Sequence, residues 1–236
     1  MSFDSLTLVS LMDGNDKVLT LESNEVQARL RGQFKVMELP DAFTFFLAKY
    51  YPAYFKAPKK LSEQNFSFDI QTKHVDDYVQ MFNPRLSGFN NADIKGNINL
   101  RNYELDLDAF VPAFMYDGKS FDNITLTAKG NRDTLHAVMV VANIKINDSL
   151  ELPGTKINLA ASNNASVIHL TTTASKSIRD AELNATVYHM DDGVRIHFAP
   201  SSFVLNDKKW RLEKDGEITL RKRYFDANQI EARLKE

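Results

Sequence analysis

Cysteine is absent from the chain of 236 residues. That excludes disulfide scaffolds, thiolate zinc sites and cysteine nucleophiles together. It leaves the compartment open, because a cysteine-free chain suits an oxidising or a reducing space. Glycine is scarce at 9 residues and tryptophan occurs once, so glycine-dense architectures such as collagen or a toxin-type β-roll are excluded. No hydrophobic run approaches the ~20 residues that span a bilayer, so no membrane helix is expected within the chain. The Met1-Ser2 start lacks the basic, apolar and small-residue sections of a secretory signal. Charge of one sign is also missing. The 29 Lys+Arg and 31 Asp+Glu leave a net −2, which argues against nucleic acid as a partner because no basic surplus exists to release counterions.

What is present is a period of two. The hydrophobic share of 43% is large enough for a sizeable core, so intrinsic disorder is excluded. Asn65-Phe66-Ser67-Phe68-Asp69-Ile70-Gln71 alternates apolar and polar without an error, as a strand with one wet face does. Ile94 to Leu100 (apart from Gly96), Glu104 to Asp108, Ile124 to Leu126, Ile144 to Ile146, Ile157 to Leu159, Leu183 to Val187 and Val194 to Phe198 follow the same rule. Phe203, Leu205, Trp210, Leu212, Ile218 and Leu220 continue it in a less regular phase. Asp117-Gly118, Asn163-Asn164, Asp192-Gly193, Asn206-Asp207 and Asp215-Gly216 sit between runs as hairpin signals. An all-β antiparallel fold follows, either a long curved sheet with one apolar face or a closed β-sandwich.

One helix is expected at about residues 40–51, opened by Pro40-Asp41 and closed by Pro52, with Phe43, Phe46, Leu47 and Tyr50 as its apolar stripe. It reads as a helix packed on the end or edge of the sheet. A membrane-surface anchor would need a basic face that Lys49 alone does not supply. A second short helix is expected from His74 to Phe82, with Val75, Tyr78, Val79 and Phe82 on one side. The organisation is then residues 1–60, N-terminal strands plus helix, and 61–236, a β-meander, or one continuous domain. Leu30-Arg31-Gly32-Gln33-Phe34, Ile94-Lys95-Gly96-Asn97-Ile98 and Ala128-Lys129-Gly130-Asn131 share an apolar-basic-Gly-polar core that is consistent with stacked units.

The search for chemistry yields no catalytic site. His169 and His197 point away from the apolar face, and His189 and His197 flank one hairpin across which they can approach. Neither has a partner at metal-ligand spacing, and HExxH, GxSxG, P-loop and GxGxxG motifs are missing. Glu104, Asp106 and Asp108 alternate outward from one strand as a solubilising row. The expectation is a protein that is not an enzyme and uses no metal or cofactor. Five Asn-x-Ser/Thr sequons, at Asn65, Asn123, Asn147, Asn164 and Asn184, matter only in a eukaryotic secretory context. Asp4-Ser5-Leu6, Asp133-Thr134-Leu135 and Asp148-Ser149-Leu150 resemble a bacterial periplasmic O-glycosylation pattern.

Several phrases resemble a known family. Ser5-Leu6-Thr7-Leu8, Leu19-Thr20-Leu21-Glu22-Ser23 and Ala28-Arg29-Leu30-Arg31-Gly32-Gln33-Phe34, followed by the helix, are similar to TamB-like proteins of Bacteroidetes, within the AsmA-like group. Pro200 to Leu212, ending Trp210-Arg211-Leu212, resembles that family's recurrent phrase, and Asp106 to Leu126 resembles its repeating unit. Gln229–Glu236 departs from the pattern. The resemblance implies a U-shaped, taco-like sheet with an apolar groove, in a longer periplasmic protein anchored in the inner membrane. Its implied role is outer-membrane biogenesis, either guiding phospholipid or assisting assembly of outer-membrane β-barrel proteins. The implied partners are phospholipid acyl chains or those assembly proteins. The inward side chains expected to line the groove are Phe66, Phe68, Ile70, Ile98, Leu100, Leu105, Leu107, Ile124, Leu126, Ile157, Leu159, Val194, Ile196 and Phe198. A third reading, a carbohydrate-binding sandwich, would need aromatic platforms, for which Trp210 and the tyrosines are the candidates.

Overall fold

A computed structural model of the chain describes residues 5–148, 150–173, 178–205, 207–212, 216–221, 224–228 and 232–234. Features expected at Asp4, Ser149, Asn206, Asp215 and most of Gln229–Glu236 lie outside these residues. The chain begins with three strands, β1 (Leu6–Asp13), β2 (Asp16–Ser23) and β3 (Val26–Gln33), followed by helix α1 (Leu39–Tyr50). Next come β4 (Asn65–Thr72), the short α2 (Asp76–Phe82), β5 (Leu86–Gly88) and β6 (Asp93–Asn99). Four strands of 12 or 13 residues form the centre: β7 (Glu104–Tyr116), β8 (Lys119–Gly130), β9 (Leu135–Asn147) and β10 (Leu150–Ser162). The remainder is β11 (Ala165–Thr172), β12 (Ile178–Met190), β13 (Gly193–Phe198), β14 (Ser201–Leu205), β15 (Lys208–Leu212), β16 (Glu217–Arg221), β17 (Tyr224–Asn228) and β18 (Ala232–Leu234).

These strands make one antiparallel sheet that is not closed. Pairing runs from β1 through β2, β3 and β4 to β6, then through β7 to β12 in chain order. β5 extends the line of β6 along the second half of β7. At β12 the sheet forks: residues 185–190 pair with β13, which leads to β16 and β17, and the earlier half pairs with β14, which leads to β15 and β18. Among the described residues β1 pairs only with β2. The sheet passes from β3 to β4 without a break, so the segments 1–60 and 61–236 share it.

The hairpins follow local chemistry. Asp117 and Gly118 take φ 51° and 77°, and Asn163 and Asn164 take 44° and 64°, the left-handed pair that a two-residue turn requires. Asp192-Gly193 behaves differently from the expectation. The register pairs Met190 with Gly193, so the loop is Asp191-Asp192 and Gly193 lies in the strand. A Cβ there would sit 2.0 Å from the Leu220 carbonyl oxygen, so the glycine serves close strand approach and not the turn.

The sheet curves around α1. In a flat sheet β4 and β13, eight pairing steps apart, would be separated by about 38 Å. One segment nevertheless touches both. The Phe43 ring packs against Phe66 and Phe68 of β4, and the Tyr54 hydroxyl donates to the Gly193 carbonyl of β13 at 3.1 Å. The helical rise from Phe43 to Tyr50 is only about 10 Å. Curvature closes the difference.

Candidate functional site

Cross-strand register turns the alternation of each strand into continuous rows on one face. One row runs Ile70, Ile94, Ala109, Leu126, Met139, Ile157, Leu170 and Leu183. A second runs Leu30, Phe68, Gly96, Leu107, Ala128, Ala137, Leu159, Ile168, Ala185 and Phe198. A third runs Phe66, Ile98, Leu105, Gly130, Leu135, Ala161, Ser166, Val187, Ile196 and Ile218. Because the strand period is two, one register slip would send a whole strand's apolar set to the other face. No such slip interrupts the rows, and the inner face of the curved sheet is an apolar trough.

Helix α1 closes one end of this trough. Ala42, Phe46 and Tyr50 are at most 1% exposed and pack with Phe34, Phe66, Phe68, Ile98, Leu100 and Ala161. The buried stripe is therefore Ala42–Phe46–Tyr50, while Phe43 stays 40% exposed at the side. Two glycines make room for rings. A Cβ on Gly96 would lie 2.4 Å from Phe68 Cζ, and one on Gly130 would lie 2.5 Å from Tyr50 Oη. Tyr50 Oη donates to the Asn131 carbonyl at 2.6 Å. Burial, with Asp133 nearby as a lesser cause, pushes the Tyr50 hydroxyl up to about 12. The helix entry is tied down by Glu38, which accepts from the Ser62 hydroxyl and the Ser62 N–H and pairs with Lys35 at 3.0 Å.

The other end carries a second cluster, Ala92, Val111, Ile124, Val141 and Ile144, with stacked rings of Phe89, Phe114 and Phe121 at 5.3 and 4.5 Å. Here the inward step changes from two residues to three: Val111 to Phe114, Phe121 to Ile124, Val141 to Ile144, and Leu152 to Thr155. The change falls on a single row across β7–β10, at Pro112, Asn123, Ala142 and Gly154. Asn123 and Gly154 take φ 48° and 54°, which reverses the side-chain phase and bends the strands. Simple alternation does not anticipate this.

The fourteen residues expected to line a groove all lie on the inner face or continue its rows. They fall into two groups. Phe66, Phe68, Ile98 and Leu100 are packed beneath α1, and Ile124 belongs to the second cluster. Ile70, Leu105, Leu107, Leu126, Ile157, Leu159, Val194, Ile196 and Phe198 are half-buried. The same rows add Leu170 and Leu183, which alternate with polar neighbours in sequence, and Met139, which Val138 and Val140 flank and alternation does not single out. Trp210 is half-buried opposite Phe203 in the β14–β15 hairpin.

The outer face carries the ion pairs, with Phe110, Val138, Val140 and Val167 exposed among them. The basic member of each Gly-containing repeat reaches acids there: Arg31 to Asp13 and Asp16 at 2.9 and 3.3 Å, Lys95 to Asp93 and Asp69 at 3.2 and 3.9 Å, and Lys129 to Asp106 at 3.7 Å. Exposed pairs of this kind contribute roughly 0–1 kcal/mol each, so they keep the face wet more than they hold it together. His169 Nδ1 donates to Asn184 Oδ1 at 2.6 Å, while the Asn184 amide donates to the Pro200 carbonyl. His189 pairs with Val194, and His197 with Thr186. They therefore lie three rows apart on opposite faces and do not approach each other. His189 instead sits at the helix end of the trough, with Nε2 at 3.0 Å from Ser166 Oγ and its ring 4.8 Å from that of Tyr51. Burial lowers its pKa.

Among the described residues no group of three or more His, Asp or Glu is placed to hold a metal ion, and no helix is long and apolar enough to cross a membrane. Comparison with protein-family models, curated proteins and solved structures gave no match.

Proposed function

We propose that this chain is a segment of a periplasmic outer-membrane biogenesis protein of the TamB-like type, and that its trough binds phospholipid acyl chains. The observation that carries the reading is the predominantly apolar inner face of a sheet that is not closed. Outside the two packed clusters, Leu126, Ile157, Ile196 and Phe198 remain half-buried on the inner face, an apolar surface of the kind that marks a binding site when it is contiguous. Each acyl methylene taken from water onto it contributes roughly 0.8 kcal/mol. The lining is hydrocarbon, with few polar anchors, so chains slide and head groups remain in water at the open seam.

The test is native mass spectrometry of detergent-free protein with lipid extraction of the same sample. Co-purifying phospholipid that is lost in Ile157→Asp and retained in Val138→Asp, on the opposite face, supports the reading. A clean apo mass with no uptake from added phospholipid overturns it. Ile98 is unsuitable as a probe because it is fully buried beneath α1, so a charge there tests folding.

A second reading, assembly of outer-membrane β-strands by edge pairing, is favoured by β1. Its Leu6, Leu8, Leu11 and Met12 are 57–66% exposed, and among the described residues its outer edge has no paired strand, leaving backbone donors and acceptors of the kind that accept an added strand.

A further inference from the structure

We propose that a cavity beside α1 is a binding site for a phosphate group. It measures about 410 Å³ and lies outside the trough, between the helix (Phe45, Ala48, Lys49), the β8–β9 turn (Arg132, Asp133) and the β10–β11 turn (Ser162, Asn163), with Ala57 completing the wall. That volume falls within the roughly 300–1,000 Å³ range of small-ligand pockets. Two cations line it. Lys49 Nζ lies 4.6 Å and the Arg132 guanidinium 5.2 Å from the centroid of the same ring, Tyr103. The two charges are therefore no more than about 10 Å apart.

Neither has a carboxylate within 4.0 Å among the described residues, unlike Arg31, Lys95 and Lys129 on the outer face. The Ser162 hydroxyl and the Asn163 amide likewise make no side-chain hydrogen bond among the described residues. Four donor groups that lack a hydrogen-bond or carboxylate partner among the described residues thus line one cavity, the two cations resting on the Tyr103 ring. Arginine supplies the planar fork, and lysine the point charge, with which proteins grip phosphate. Asp133 also lines the cavity and contributes a carboxylate, so the net charge of the wall is +1. That composition suits a phosphate monoester or diester, and it leaves an acid beside which an ammonium group on the same ligand can sit.

The shared chemistry is the phosphate, whether it arrives on a lipid headgroup or on a small water-soluble ester. Titration of the full chain with inorganic phosphate, followed by NMR of the Arg132 and Lys49 side chains, is expected to give a saturable shift. The affinity should fall at least tenfold in Lys49→Gln/Arg132→Gln, with unchanged circular dichroism, and should be unaltered in Lys95→Gln. No saturable shift in the wild type overturns the site even if the double variant fails to fold, and equal affinity in the variant does the same. A second arm identifies the source. Competition by phosphatidylglycerol vesicles marks a lipid headgroup, and competition by glycerol 3-phosphate alone marks a soluble ester. The site does not depend on the trough reading, because a vacant trough with a saturable phosphate shift, or the reverse, is separately observable.

Discussion

Phe46→Ala tests the arrangement on which the trough depends. Phe46 is 1% exposed and belongs to the cluster that α1 shares with β4, β6 and β10. Its removal strips a ring from the cluster that also holds Phe34, Phe66 and Ala161, and the backbone of a helix held from both walls cannot collapse to fill the space. Large-to-small changes at such sites cost about 3–5 kcal/mol. At roughly 2–4 °C per kcal/mol for a chain of this size, the melting temperature should fall by about 6–20 °C in scanning calorimetry. Phe82→Ala is the control. Phe82 ends α2, was expected on that helix's apolar side, and is 92% exposed; its replacement should change stability by no more than about 0.5 kcal/mol. If the Phe46 variant melts within about 2 °C of the wild type, less than 1 kcal/mol has been lost. The helix would then not be packed in the trough, and the closed end would have to be abandoned.

Further outcomes can be measured directly. Gly130→Ala places a methyl group 2.5 Å from Tyr50 Oη and 3.2 Å from Leu105 Cβ, and should cost about 1–3 kcal/mol in urea denaturation; an unmoved midpoint would show that the Tyr50 ring does not lie over the glycine. The Ser62 hydroxyl, then the Ser62 N–H and Lys35, lower the Glu38 carboxyl from 4.5 to about 2. A depressed carboxyl contributes stability above pH 4.5 that is lost as pH falls toward 2, so Glu38→Gln should flatten that part of the acid limb, and an identical acid limb would remove Glu38 as its source. Leu8→Lys/Leu11→Lys on the β1 edge should suppress concentration-dependent association in analytical ultracentrifugation, and unchanged sedimentation of both forms at every concentration would count against edge pairing.

The sequence by itself determined the class of fold and the identity of the inner face. Alternation is a local property: in Asn65 to Gln71 every second side chain must share a side whatever the strand pairs with. Asp117-Gly118 and Asn163-Asn164 turn the chain for equally local reasons. Helix α1 was legible from Pro40-Asp41 and Pro52, within a residue of its observed span. What only tertiary structure decided concerns which groups meet at long range. Whether Ile98 is open lining or core depends on α1 lying over it, and the helix lies about 50 residues away in sequence. The exchange of inward phase along the Pro112–Asn123–Ala142–Gly154 row arises from left-handed backbone at two of its positions, to which a count of apolar residues is blind. His189 and His197, eight residues apart, were separated by face because one lies on an inward position of β12 and the other on an outward position of β13. The cation pair beside α1 needed Lys49, Tyr103, Arg132 and Ser162 to be brought together from four elements. No periodicity records that, because curvature of the sheet set those distances and residue spacing did not.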